Sequence, residues 1–348
     1  MTTMSSVAAS TQPRPTMRDV AALAGVSLKT VSRVVNDEPG VSPELAKKVQ
    51  LAIDRLDYRP NLGASSLRRS DRLTRTLGLL LEDVANPFSA ALHRAIEDVA
   101  RPRGVAVLTG SLDEDPVREV QLAATFIARR VDGLILVPAS HDQSYLVIER
   151  RAGLPMVFVD RAPTLLDADV VLSNNLGGAR EGVRHLLERG HRRIGYLGDL
   201  TTISTAQERW SGYREALREY DVAVDDRLVR HDLRTIAQAE QAALGVLTSS
   251  ASPTALFTSQ NLVTIGAIRA LRQLRRQHDV ALVGFDDFLL ADLLDPGVTV
   301  IAQDPGQMGT VAAQTLFERL EGNVAPTRRH LVPTELVERG SGEIAPPA

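Results

Sequence analysis

The sequence has no cysteine in 348 residues. That excludes disulfides, thiolate catalysis and cysteine metal sites, and it fits a cytoplasmic protein. Aromatic residues are only 4% of the chain, with one tryptophan, Trp210. No apolar run approaches the roughly 18 residues that a membrane-spanning helix needs, so no membrane partner is expected. The opening MTTMSSVAASTQPRP lacks a basic segment followed by an apolar core, and reads as a polar tail over 1–15 rather than a signal peptide. The motifs of common enzyme sites are missing too: P-loop, GxGxxG, GxSxG and HExxH do not occur. His185 and His191 have no third ligand at metal spacing, so they read as surface or capping histidines. No cofactor and no metal are expected.

What is present is uneven. The net charge of -3 hides a basic head on an acidic body. Residues 1–75 carry 12 Lys and Arg against 7 Asp and Glu, and the remainder carries 28 against 36. Such a head suits a polyanion. The head contains TMRDVAALAGVSLKTVSRVVN, Thr16 to Asn36. Thr16 with Asp19 makes a capping pair, Val20, Leu23 and Ala24 form one apolar face, and Gly25 stops the helix. Ser27 can cap a second helix from Leu28 to about Asn36, with Val31, Val34 and Val35 inward and Leu28, Lys29, Ser32 and Arg33 outward. So short a helix cannot stand alone in water. Ser42-Pro43-Glu44 starts a third, with Leu45, Val49, Ala52, Ile53 and Leu56 at helical spacing. Three small helices with an exposed basic second one is the helix-turn-helix plan, whose second helix enters the major groove. A helical bundle with idle surface lysines is the alternative.

Pro60 ends this domain near residue 61. LGASSLRR, within a linker of 62–75, is too short to be helical alone. From Thr76 apolar runs alternate with helical stretches. Strands are expected at 77–82, 105–110, 133–138, 156–160, 169–173, 193–198, 254–259, 280–285 and 298–303. Helices are expected, for example, at 89–103, 116–130, 176–190, 206–220, 236–249 and 261–277. Continuous apolar strands between helices indicate doubly wound parallel sheets, long enough here for two α/β lobes. Ligands of such sheets sit at the carboxyl ends of strands.

The stretches DVAALAGVSLKTVSRVVN, VSPELAKKV, LDYRPN, NPF at 86–88, RRVDGLIL, VDR at 159–161, GHRRIGYLG, ERWSGY, VGFDD and LVPTELVER occur in this order. Together they resemble the LacI-type bacterial transcriptional regulators from Thr16 to about Arg339. The resemblance implies a helix-turn-helix domain (16–61), a hinge helix (62–75) and a two-lobed core like a periplasmic binding protein (76–340). Lobe one would take about 76–172 and 303–332, lobe two about 173–302 and 333–340, with a tail over 341–348. It also implies a homodimer that binds a pseudo-palindromic operator, most often as a repressor, under control of a small-molecule effector.

By position in the family, Leu28, Lys29 and Arg33 are base readers. Leu28 offers apolar contact to a thymine methyl; Lys29 and Arg33 can donate to guanine. Thr16, Ser27, Thr30, Ser32 and Asn36 match phosphate-positioning groups, and for Thr16 and Ser27 capping is an equal role. Leu67 falls where the family wedges a leucine into the minor groove, followed by a basic Arg68. Gly63 replaces the usual alanine, at a helix cost of about 1 kcal/mol. In the core, Phe88, Asp160, Arg209, Gln260 and Asp286 match positions that line the effector pocket. Capping roles for the two aspartates and an ion pair within one lobe for Arg209 are the structural alternatives. Gln260-Asn261, Leu233 and Asn174-Asn175 depart from the family pattern, and the RRQHDV connection is shortened. Two other functions compete: an α/β enzyme acting on a sugar or nucleoside, which lacks a placed nucleophile, and a transport-type binding protein, which would not carry the basic head.

Overall fold

The computed structural model describes residues 15–36, 38–59 and 73–347. The chain divides into two compact units, Met1–Thr74 and Arg75–Ala348. Among its described residues the first contains three helices, α1 (Met17–Ala24), α2 (Leu28–Val35) and α3 (Pro43–Leu56). Asp19 N–H donates to Thr16 Oγ1 at 3.4 Å, and the Asp19 carboxylate accepts from Thr16 N–H at 2.7 Å. This reciprocal cap contributes about 1 kcal/mol. Gly25 ends α1 at φ 64°, a left-handed conformation that glycine adopts without strain. Ser27 and Ser42 cap α2 and α3 through Thr30 N–H and Leu45 N–H.

Val20, Val31, Val49, Ala52 and Tyr58 close the core of this unit. Two expected core leucines stay outside it: Leu23 is 44% exposed and Leu45 is 38% exposed. The inward stripe of α1 runs instead through Met17, Val20, Ala21 and Ala24. Two turns of helix can present only so narrow a stripe to two neighbours, and Leu23 falls at its edge. The hinge residues Gly63, Leu67 and Arg68 lie outside the described residues.

The second unit holds two six-stranded sheets. The first is ordered β11-β5-β4-β3-β1-β2, from Arg329–Val332, Asp169–Ser173, Met156–Val159, Gly133–Leu136, Thr76–Leu81 and Ala106–Ser111. Every pairing in it is parallel. Successive side chains of a strand point to opposite faces. Leu77, Leu79 and Leu81 therefore meet α4 (Pro87–Ala100) and the helix Pro305–Leu320, while Leu80 meets Phe126 of α5 (Pro116–Ala128). Each such buried side chain stabilises the fold by about 1.5–3 kcal/mol. The short helix α6 (Val147–Arg151) follows β3.

The second sheet is ordered β12-β10-β9-β8-β6-β7, from Glu335–Val337, Thr299–Ala302, Ala281–Phe285, Ala255–Thr258, Ile194–Leu197 and Val229–Arg230. The helices α7 (Asn175–Glu188) and α8 (Ser204–Glu219) cover one face, and α9 (Ile236–Leu247) with α10 (Asn261–Gln273) covers the other. The helix Pro305–Leu320, α11, returns the chain to the first sheet. The chain thus changes sheet after β5, after β10 and after β11.

Three edge strands escape the sequence pattern: β7, β11 and β12 are short and only partly buried, so they show no continuous apolar run. β12 also runs antiparallel to β10, where only parallel strands were expected. The expected tail at 341–348 is in part structural. Ser341 Oγ donates to Leu282 O at 2.6 Å and accepts from Thr299 N–H at 2.9 Å. Glu343 accepts from Thr299 Oγ1 at 2.8 Å and bonds His185 Nε2 at 2.6 Å. His185 and His191 are accordingly buried, not surface groups, and His191 bonds Thr254 Oγ1 and the Ile344 carbonyl at 2.9 and 2.8 Å. Periodicity registers neither residue, because their partners lie far away in sequence.

Candidate nucleic-acid interface and effector cleft

Helix α2 presents Leu28 and Lys29 to solvent, with Leu28 43% exposed. Ser32 and Arg33 are half-buried on the next turn. Single exposed leucines are ordinary, and Leu23 is as exposed as Leu28, so it is the position of Leu28 beside Lys29 on α2 that makes it a candidate contact. The hydroxyls at the start of α2 are already ordered: Ser27 Oγ and Thr30 Oγ1 lie 2.9 Å apart. Asn36 donates to Ser32 Oγ at 3.3 Å, so the end of the helix is held too. Thr16 Oγ1 donates to Asp19 Oδ2 at 2.7 Å, which gives it a capping role in the protein itself. Leu67 and Arg68, the other two DNA-facing candidates, fall outside the described residues.

In the core, parallel strands end on one edge of each sheet. Asp160 follows β4 and Asp286 follows β9, in matching environments. Each has positive φ, 66° and 70°, and each donates its N–H to the next strand, at Val171 O and Ile301 O, both at 2.9 Å. A non-glycine residue in this conformation is uncommon, and aspartate tolerates it better than most. Neither carboxylate accepts a backbone N–H among the described residues, so the capping alternative is not what the structure shows for them. Arg209, 6% exposed on α8, does make the ion pair within the lobe: Nη1 lies 3.5 Å from Asp286 Oδ2. The same guanidinium donates to Asn175 Oδ1 at 2.8 Å and Ser259 O at 2.6 Å, and stacks 3.9 Å over the Phe285 ring. Phe88 is half-buried and lines a cavity with Asp286 and Gln303.

Gln260 is less directly placed. Its Oε1 accepts from Leu262 N–H at 2.8 Å, an N-cap for α10, and its Nε2 only approaches Asp199 at 3.5 Å. The next residue reaches the other lobe. Asn261, 1% exposed, donates across the two lobes to Asn86 Oδ1 at 3.0 Å. Arg234 makes a second such crossing, to Asp113 O at 3.1 Å. Gln303 donates to Asp286 Oδ1 at 2.5 Å. Arg161, beside Asp160, is held by Glu114 in a two-pronged pair at 2.6 and 2.7 Å. Asn86, Arg161 and Gln303, which the sequence did not single out, thus converge here with Asn175 and Asn261, two of the departures from the family pattern. The NPF and VDR stretches held the signal for Asn86 and Arg161; nothing local marks Gln303.

Several polar atoms here are buried with no hydrogen-bond partner in the protein: Asp160 Oδ1, Arg161 Nε, Asn261 Oδ1 and Gln303 Oε1. They comprise acceptors and one donor, arranged around the junction of the lobes. Each such atom costs about 1–3 kcal/mol unless something bonds it. Burial pushes the Asp160 carboxyl up, against the pull of Arg161 and Arg209. Burial pushes Asp199 up as well. Glu82, after β1, is pushed from the ordinary 4.5 to about 8, chiefly by burial and then by the neighbouring charge of Glu114.

A carboxyl raised on folding carries a definite sign. Below about pH 4.5 both states are protonated and Glu82 has no effect. As pH rises towards 8 the unfolded chain ionises first, so Glu82 progressively destabilises the fold. Glu82→Gln removes that loss. The variant's melting temperature should match wild type near about pH 4 and exceed it near about pH 9, by several degrees. An offset independent of pH in thermal melts would refute the assignment.

The comparisons with known proteins agree with this geometry. Residues 16–61 match the bacterial regulatory proteins of the lacI family, and residues 183–342 match a periplasmic binding protein-like domain. The chain is 33% identical over 311 residues to the ribose operon repressor of Haemophilus influenzae, covering 88% of this chain and 92% of that protein. Among solved structures it is similar to a complex of the transcriptional regulator CelR with cellobiose, at 31% identity and TM-score 0.68, covering 94% of this chain and all of that one (100%). It is also similar to the lac repressor dimer bound to operator and the anti-inducer ONPF, at 26% identity and TM-score 0.83, covering 95% and 99%. The chain belongs to the LacI family of bacterial regulatory proteins, with a helix-turn-helix DNA-binding domain ahead of a two-lobed core like that of periplasmic binding proteins.

Proposed function

We propose that this protein is a cytoplasmic transcriptional repressor, not an enzyme. It binds a pseudo-palindromic operator as a homodimer and answers to a neutral or weakly charged hydroxylated effector of pentose size, of which ribose is the first candidate. One observation carries the effector class. Asn86, Asp160, Arg161, Arg209, Asn261, Asp286 and Gln303 converge from both lobes, and four of their polar atoms are buried without a partner. Sugar hydroxyls both donate and accept, so one ligand can serve donors and acceptors together. The ribose operon repressor of Haemophilus influenzae supports the choice of sugar. No serine, cysteine or histidine stands among these groups as a nucleophile with its base, which argues against catalysis.

Two observations support the assembly. Leu289, Leu290 and Leu293 are 83%, 54% and 74% exposed on one segment of the second lobe. A second copy would cover them, as the lac repressor is described as a dimer on its operator. A two-fold dimer presents two copies of α2 to two half-sites.

The test is selection of bound DNA from a random pool, repeated with ribose. A palindromic motif should emerge, and ribose should change affinity for it at least about tenfold. A motif that ignores ribose would remove ribose as effector. Affinity should also fall steeply with salt, since phosphate contacts release counterions. Lys29→Ala should cost about 1–3 kcal/mol on the selected operator and relax preference at one position in each half-site. An unchanged motif would show that Lys29 reads no base.

A further inference from the structure

The cleft contains more acid than a neutral sugar needs. Arg161 is matched by Glu114 in the two-pronged pair, and Arg209 by Asp286 at 3.5 Å. Three carboxyls then remain without a cation of their own: Asp160, Glu82 and Asp199. They come from three strand ends and from both lobes. Asp160 follows β4 and Glu82 follows β1 in the first sheet; Asp199 lies two residues after β6 in the second. Arg161 serves Asp160 only at 3.6 Å, through Nε, and the other Asp160 oxygen, Oδ1, is buried with no partner in the protein. Asp160 itself is 8% exposed. Asp199 uses Oδ1 on Leu200 N–H at 2.7 Å, and its Oδ2 has only the Gln260 amide at 3.5 Å.

These carboxyls feel one another across the lobe boundary. Glu82 is raised by Glu114 on its own lobe and by Asp199 on the other, with Asp160 adding to both neighbours' effect and Arg161 opposing it. Asp160 faces Arg161, Arg209, Asp286 and Glu114, and Glu208 on α8 also feels Asp160. Closing the lobes, which the Asn261–Asn86 and Arg234–Asp113 bonds hold together, therefore gathers negative charge. Like charges so gathered need either protons or a cation. Among the described residues no three His, Asp or Glu side chains are grouped closely enough to hold a metal ion. A bare ion therefore has no cage here, whereas an ammonium within a hydroxylated ligand can face the unpartnered Asp160 Oδ1 while its hydroxyls hold it in place.

We infer that the effector carries a protonated nitrogen as well as hydroxyls: an amino or imino sugar, or an amino polyol, whose cation sits against Asp160, with Glu82 and Asp199 adding negative charge around it, while its hydroxyls meet Asn261, Arg209 and Gln303. The inference rests on the effector reading of this cleft and narrows its ligand class.

Matched probes that differ in charge alone test it. Iminoribitol has the ribose hydroxyl pattern on a pyrrolidine ring that is cationic at neutral pH, and anhydroribitol is its neutral oxygen counterpart. Aminoribitol and ribitol form an open-chain pair. Calorimetric titration of the full-length protein at neutral pH should give binding at least about tenfold tighter for the cationic member of one pair or both. In the double variant Glu82→Gln, Asp199→Asn the ratio between the two members of a pair should fall to within about threefold. Equal or tighter binding of both neutral members overturns the inference and leaves the effector cleft standing. A cationic preference that survives intact in the double variant also overturns it. Absence of binding by all four probes and by ribose overturns both the inference and the effector reading, while operator selection independently reports whether the DNA-binding function stands.

Discussion

Arg209→Ala will abolish the response of operator binding to any effector and lower the stability of the core by about 3–5 kcal/mol. The size follows from what the guanidinium serves. It is 6% exposed, donates to Asn175 Oδ1 and Ser259 O, lies 3.5 Å from Asp286 and stacks on Phe285. Truncation leaves two acceptors and a buried carboxylate without their donor, and opens the space that the side chain filled. Gln303 still donates to Asp286, which moderates but does not cancel the loss. Asp286→Asn added to Arg209→Ala should therefore recover part of the stability, because it removes the unpaired charge. It should not recover the response, because both groups proposed to meet the effector are then gone. The head is a separate compact unit, so operator affinity without effector should change little in either variant. Urea unfolding and operator titrations read the two effects apart. Wild-type stability in Arg209→Ala would mean that water replaces the guanidinium freely and that the site is far wetter than its burial implies.

This residue also shows what the sequence exposed and what it concealed. Asp160 and Asp286 each stand at the end of an apolar run, and Arg209 in the second turn of α8, where a lone charge stands out from the core pattern. Strand ends in an α/β protein are where ligands sit, so local pattern and fold class together point to them. Asn261 was hidden by its neighbour. Gln260 and Asn261 follow the same strand, and only the turn geometry decides which one caps the helix and which one crosses the cleft. Glu82, Asp199 and Gln303 were hidden differently. Each is an ordinary polar residue in its own segment, and its meaning appears only when two sheets bring their carboxyl edges together. In the head, the helix caps were legible because capping is local: Thr16, Ser27 and Ser42 all bond the N–H three residues on. Leu23 was misread because burial on so short a helix depends on neighbours that local spacing does not describe.

Gly212→Ala should be the most damaging single-methyl change in the second lobe, costing about 3 kcal/mol, at the upper end of what overpacking costs. Gly212 lies where α8 crosses α7. A methyl there would drive into the Leu176 carbonyl oxygen, with Ala179 Cβ and Arg180 N both at 2.9 Å. Two of these obstacles are backbone atoms of α7, which cannot rotate aside, so the helices must separate. Arg209 sits three residues earlier on α8, nearly one turn away and on the same side. Separation of the helices must therefore also pull the guanidinium from Asn175 Oδ1, which belongs to α7 itself. The variant should lose effector affinity by at least about tenfold along with stability, although residue 212 touches no ligand. Gly245→Ala provides the opposite case within the same lobe. A methyl at Gly245 meets nothing within 4 Å on α9, so alanine should stabilise by about 0.5–1 kcal/mol through helix propensity alone. Urea midpoints that move in opposite directions for the two alanines would tie the fault at Gly212 to the close crossing of α7 and α8. Midpoints that move together would mean that the crossing has room to spare, and that Arg209 is positioned by its hydrogen bonds rather than by the packing beneath it.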